Sequence, residues 1–171
     1  ASLPITEKTP LENPFWQYSK DKIACEKELK KAYESSGFPY TIVRPSHTYD
    51  KTLLPFEGGF TVFKRILDEK PVVLFGEGTS IWTLTHHRDF AKGFVGLIGN
   101  EKTIAEDFHI TNNELLTWNM IYATIAKLAG KKLKKVYVSS DFFARYHREM
   151  GDSVLGDKMY SSIFDNSKIK S

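Results

Sequence analysis

An α/β or α+β arrangement follows from three features of the sequence. Short, β-rich apolar stretches alternate with longer stretches of helical periodicity. Glycines and prolines punctuate the boundaries between them. The chain has 171 residues, 41% hydrophobic and 26% charged, which is ordinary globular composition and long enough for a real core.

The elements follow in order. Residues 1–15 carry three prolines and no periodicity, so they form an irregular lead-in. The spacing of Ile23, Ala24, Leu29, Ala32 and Tyr33 predicts a helix from Trp16 to Ser36, closed by Gly37 and Pro39. Tyr40 to Arg44 reads as a buried strand ending at Pro45. Residues 46–59 look like a loop, broken by Pro55 and Gly58-Gly59. Phe60–Glu69 follows as an amphipathic helix, Val72–Phe75 as a strand and Ile81–His86 as another strand. A helix is expected over Asp89–Ile98, with Asp89 a candidate cap, and a strand over Phe108–Thr111. Asn113 is a candidate cap for a helix running to Ala129 and ended by Gly130. Val136–Ser139 reads as a strand, and Ser140 or Asp141 caps a last clear helix to Arg148, with Phe142, Phe143 and Tyr146 as its packing face. The final twenty residues are weakly patterned.

Composition also narrows the function classes. A net charge of +3 is too small to point to nucleic acid or an anionic membrane. There is no apolar run long enough for a bilayer and no signal-peptide pattern at the start. The single cysteine, Cys25, excludes an intrachain disulfide and favours the cytoplasm. It lies in the first helix and is expected to be a buried or half-buried hydrophobe. His86-His87 has the wrong spacing for a metal site, since neighbours on a strand point to opposite faces. Lys131, Lys132, Lys134 and Lys135 form a basic cluster that reads as a solvated turn.

One constellation carries chemistry. Tyr18-Ser-Lys-Asp-Lys22 puts a phenol and an amine four residues apart, on one face of the predicted helix. A free phenol titrates near ~10 and is a poor base at neutral pH. A neighbouring ammonium favours the phenolate, so such a pair can move a proton to or from a substrate hydroxyl. The spacing alone is common, and by itself it also fits a surface helix.

The context extends the pattern. The lead-in contains Ile5-Thr-Glu-Lys-Thr-Pro10, and Glu26 follows Lys22 by one turn. Then come Gly37-Phe-Pro and a strand ending in Arg44-Pro45-Ser-His-Thr-Tyr49. Phe75-Gly-Glu-Gly78, Arg88-Asp89-Phe-Ala91 and Asp165-Asn-Ser-Lys168 come later. In this order the chain resembles the C-terminal part of extended short-chain dehydrogenases, the NAD-dependent epimerase/dehydratase family. The likeness is strong in the first third and loose after about residue 100.

That resemblance implies an α/β fold: the C-terminal portion of a doubly wound Rossmann-type domain plus a small α/β substrate-binding subdomain. Residues 1–50 would be the remnant of the NAD(P)-binding domain. Residues 51–171 would be mostly substrate-binding, with segments returning to the Rossmann sheet. It implies Tyr18 as catalytic acid/base, with Lys22 favouring its ionised form and holding the ribose of NAD or NADP. Pro45, Ser46 and His47 would lie beside the nicotinamide. The substrate would be a hydroxyl-bearing small molecule, sugar or nucleotide-sugar like. The helix from Trp16 to Ser36 would be a candidate homodimer surface.

Three departures stand out. The Gly-x-x-Gly-x-x-Gly turn that seats a pyrophosphate is absent. An N-terminal half is therefore expected to be missing, and the fragment to be inactive alone, with an exposed strand edge and apolar faces. Only Ser2 is available for the family's active-site Ser or Thr, and it is too close to assign. Many sugar-nucleotide members carry a diphosphate-binding arginine seven residues before the equivalent of Asp89. Here that place falls on Trp82, a candidate substrate contact that cannot pair with phosphate. The alternative reading is a non-catalytic dinucleotide-sensing or RNA-binding protein on the same fold.

Overall fold

A computed structural model describes residues 3–171, so Ser2 lies outside the described residues. Helix α1 spans Gln17–Ser36 and ends, as expected, at Gly37, whose φ of 70° is the left-handed conformation of a glycine cap. Strand β1 (Thr41–Pro45) follows and pairs in parallel with β6 (Glu106–Ile110), Val43 facing Phe108. Helix α3 (His87–Leu97) packs against this pair. Gly93 permits the approach, because a methyl there would stand 3.1 Å from Ile110 Cγ2.

The second packing unit is built from α2 (Gly59–Leu67), β3 (Val72–Phe75), α4 (Trp118–Leu128) and β8 (Lys135–Val138). β3 runs parallel to β8, burying Val72 and Leu74 while Val73 faces out. Those two side chains join Phe56, Ile66, Trp82, Trp118 and neighbours in one apolar cluster. Parallel pairs separated by helices make the fold α/β, as the alternation of strands and helices implied.

Several expected boundaries shift, each for a local reason. Residues 46–59 are not all loop: β2 (His47–Tyr49) pairs in parallel with β5 (Leu84–His86). The stretch Ile81–His86 is not one strand. It breaks at Thr83, whose hydroxyl donates to the Ser162 carbonyl at 3.0 Å, and β4 (Ile81–Trp82) pairs antiparallel with β7 (Leu116–Thr117). Asn113 does not cap α4. Thr117 does, its hydroxyl accepting from the Met120 N–H at 3.2 Å. His86, not Asp89, caps α3, while Asp89 pairs with Lys92 on the exposed face. Ser139 caps α5 (Ser140–Tyr146), and α6 (Arg148–Ser153) continues beyond it.

Of the three aromatic residues expected to pack on α5, Phe143 alone turns inward, 4.7 Å from the Phe75 ring, while Phe142 and Tyr146 stay exposed. Cys25 is exposed rather than buried, since no residue of α1 is fully buried. His86 and His87 are a cap and a first helical residue, and no group of metal-ligating side chains gathers among the described residues. The lysine cluster after α4 is solvent-exposed, as expected. No described helix is long and apolar enough to cross a membrane. The weakly patterned end forms a π-helical turn at Val154–Lys158 and α7 at Ser167–Lys170.

Candidate active-site cleft

The entry to α1 is fixed by Asn13. Its Oδ1 accepts from the N–H groups of Phe15 and Trp16, at 3.1 and 3.0 Å, and its Nδ2 donates to the Gly156 carbonyl at 2.8 Å. One asparagine thus aims the first turn of α1 and ties it to the C-terminal segment. Gly156 has to be small here, because a methyl would meet Trp16 Cβ at 2.8 Å.

Tyr18 stands on that first turn and is 55% exposed. Lys22 lies one turn on, with Nζ 5.4 Å from the Tyr18 ring centroid, the same-face relation that the four-residue spacing implies. Further along α1, Glu26 anchors the helix to the sheet. Arg44 donates to Glu26 through Nε at 2.9 Å and Nη2 at 2.6 Å, and Nη2 also reaches Asp107 Oδ2 at 2.8 Å.

A cleft of about 710 Å³ opens beside Tyr18. The turn between β1 and β2 supplies Pro45, Ser46 and His47 to its wall, and Trp82 lines it as well. The structure therefore brings together five residues that the sequence singled out separately: Tyr18, Pro45, Ser46, His47 and Trp82. Lys22 does not line the cleft and meets it only through Tyr18.

Each of these residues has a clear local setting. Ser46 Oγ lies 2.6 Å from Thr85 Oγ1, a buried pair that fixes the turn. The His47 ring stacks edge-on to Trp82 with centroids 5.7 Å apart, and its Nε2 is buried without a hydrogen-bond partner among the described residues. Burial, with Lys158 nearby, holds the His47 imidazole below the ordinary histidine range. Trp82 is a core residue whose Nε1 donates to the Lys158 carbonyl at 3.4 Å. Trp118 Nε1 and Ser80 Oγ donate to the same oxygen, at 3.1 and 3.0 Å.

Glu57, Asp157 and Lys158 also line the cleft, and sequence reasoning missed all three. Lys158 Nζ is 3.0 Å from Glu57 Oε1 and 3.7 Å from Asp157 Oδ2. Burial pushes the Asp157 carboxyl up, against the opposing pull of Lys158. Glu57 precedes a glycine pair and the other two sit in the unpatterned tail, so no periodicity marks them.

A sequence profile described as the NAD dependent epimerase/dehydratase family matches residues 1–112. Among curated proteins, the chain is 27% identical over 128 residues to an uncharacterized UDP-glucose epimerase of Bacillus subtilis, covering 75% of this chain and 40% of that protein. It is 30% identical over 104 residues to the chloroplast stem-loop binding protein of 41 kDa b of Arabidopsis thaliana, covering 60% of this chain and 27% of that one. Among solved structures, UDP-glucuronic acid 4-epimerase from Bacillus cereus, in complex with UDP-glucuronic acid and NAD, superposes with a TM-score of 0.76 at 24% identity. That superposition covers 95% of this chain and 48% of the epimerase, so the likeness is one of fold over about half of the larger protein. With the profile spanning residues 1–112 of 171, the chain belongs to the NAD-dependent epimerase/dehydratase family.

Proposed function

We propose that this chain supplies the acid–base helix and the substrate cleft of an NAD(P)-dependent epimerase, dehydratase or reductase acting on a hydroxyl-bearing, sugar-like small molecule. The observation that carries the reading is the convergence of Tyr18 on one cleft with residues 45–47, which are distant from it in sequence.

Tyr18 presents an exposed phenol oxygen to a ligand in the cleft, and it exchanges a proton with a substrate hydroxyl. Lys22 supplies the positive charge beside that phenol and a donor for a ribose hydroxyl. The residues present fit a nicotinamide group: the uncommitted Nε2 of His47 is a polar atom awaiting a partner, on the same wall as Ser46. When bound, the nicotinamide accepts or returns a hydride at the substrate carbon. The Arg44–Glu26 pair keeps α1 in place so that Tyr18 is held against the cleft rather than left to drift. In this reading, β1 and β6 belong to the cofactor-side sheet, and the cluster around Leu74 and Trp118 forms the substrate subdomain. α1, which has no buried residue, is a surface on which two copies can pair.

Tyr18→Phe tests the proposal. In the enzyme carrying this chain, kcat should fall by about 10²–10⁴, the usual worth of a positioned acid–base group, while substrate affinity stays within a few-fold. A variant that keeps full turnover overturns it. A second reading, an RNA-binding relative, is favoured by the Arabidopsis protein's description and by the exposed Lys131–Lys135 run. There, Tyr18→Phe leaves function unchanged, and neutralising the lysines weakens RNA binding.

A further inference from the structure

The net charge of +3 is not spread evenly over the chain. Residues 118–138 hold five lysines and no carboxylate, so the remainder is net negative. Lys127 stands in the last turn of α4, Lys131 and Lys132 follow it, and Lys134 and Lys135 lead into β8. All five are exposed, and none forms an ion pair among the described residues.

The fold adds cations from a distant stretch. The Val72 N–H donates to the Lys134 carbonyl at 2.9 Å, and Val72 faces Lys135 where β3 runs beside β8. The Glu69 carboxylate accepts from the Lys132 N–H at 3.2 Å. The end of α2, with Lys64, Arg65 and Lys70 exposed, is thereby laid against the lysine run. Of the two acids there, Asp68 pairs with Lys64 and Lys70, and Glu69 holds the Lys132 main chain. Two helices end here, and a helix C-terminus favours a cation in its last turn. That accounts for Lys64, Arg65 and Lys127 but not for the five lysines beyond the helix ends. Like charges gathered in this way repel one another until an anion lies among them.

An aromatic ring completes the surface. Tyr137 on β8 is 48% exposed, with Lys135 Nζ 5.3 Å from its ring centroid. Its hydroxyl donates to Asn119 Oδ1 at 2.7 Å, which fixes the ring as a platform for a flat group. An extended set of cations beside such a ring suits a chain of phosphates that carries unstacked bases.

We propose that this end of the molecule is a binding surface for single-stranded nucleic acid. None of these residues lines the cleft, so the surface works alongside the proposed catalysis and not, as in the RNA-binding reading, in its place.

The test is fluorescence anisotropy with the purified chain across a salt series. The probes are a labelled uridine oligomer of about 20 nucleotides, the matching thymidine oligomer, and vesicles of phosphatidylglycerol with phosphatidylcholine. Replacing Lys131, Lys132, Lys134 and Lys135 with glutamine should weaken oligomer binding at least about tenfold at low salt. It should also flatten the slope of log K against log salt by about 3, at ~0.7 per lysine, and adding Lys70→Gln should take off a further ~0.7. Tyr137→Ala should weaken binding about fivefold or more and leave the slope unchanged, because stacking releases no counterions. Tighter binding of the uridine oligomer assigns the surface to RNA, and tighter binding of the thymidine oligomer assigns it to DNA. The proposal fails if neither oligomer binds at low salt, if the lysine or Tyr137 variants bind like the wild type, or if the vesicles bind more tightly than both oligomers. Should a variant not fold, the wild-type comparison of oligomers with vesicles decides alone. The titration needs neither cofactor nor turnover, so a Tyr18→Phe enzyme of full activity would overturn the acid–base reading and leave this surface standing.

Discussion

Replacing Arg44 with methionine should destabilise the protein by about 3 kcal/mol. Arg44 joins three elements: Glu26 on α1, its own strand β1, and Asp107 on β6. It makes three hydrogen bonds to carboxylates, at 2.9, 2.6 and 2.8 Å, and Nη1 donates to the Glu7 carbonyl at 3.2 Å. The three charged side chains are only 12–16% exposed. Removing the cation strands two carboxylates in a poorly solvated site, and breaking a buried pair in that way costs roughly 3–5 kcal/mol. Residual solvent, and Lys30 at 3.0 Å from Asp107, place the value at the lower end. At an m-value of about 2 kcal/mol/M in urea, the midpoint should drop by about 1.5 M. The assay is equilibrium urea unfolding followed by tryptophan fluorescence. Adding Glu26→Leu to Arg44→Met should recover part of the loss, because one stranded charge is gone. A loss under about 1 kcal/mol for the single variant, or no recovery in the double, would refute the claim that this cluster holds α1 to the sheet.

The remaining predictions concern pH and α3. Burial holds the imidazoles of His47 and His109 below the ordinary range. The unfolded chain therefore binds protons first, and stability present above about 6.5 is lost as pH falls through that value toward the folded-state titration. Urea midpoints at neutral and mildly acid pH check this, and His47→Gln should flatten the slope; a midpoint that rises on acidification contradicts the sign. Gly96 lies inside α3 with open space around it, so Gly96→Ala should gain roughly 0.5–1 kcal/mol through helix propensity. Gly93→Ala on the same helix should show no such gain, because its methyl would press on Ile110. Paired thermal melts separate the two, and equal shifts would mean that α3 is not packed as described.

How much of this was legible in the sequence depends on the range of the force involved. Tyr18 and Lys22 face together because helix geometry is local, and the four-residue spacing carries it. Val72–Phe75 was readable because its β-branched and apolar run has a single use. The break at Thr83 was not, since it depends on a hydroxyl meeting the Ser162 carbonyl far along the chain. The exposure of Cys25 was misjudged because the apolar stripe of α1 is thin and only half-covered. Glu57, Asp157 and Lys158 were invisible for a different reason. Hydropathy assigns charged residues to the surface, and only their mutual approach explains why Lys158 is buried. The sequence thus announced the helix that presents Tyr18 and Lys22 together but concealed the charged groups of the cleft beside it.

The carbonyl of Lys158 has a wider consequence. Two indoles and a serine converge on it, and they read the main chain, which every amino acid carries alike. Residue 158 is therefore anchored twice: its main chain by these three donors, and its side chain by Glu57, Asp157 and the rings of Trp16 and Trp82. An exchange of that side chain would keep the backbone anchorage and lose the other, leaving Glu57 and Asp157 without the cation that faces them.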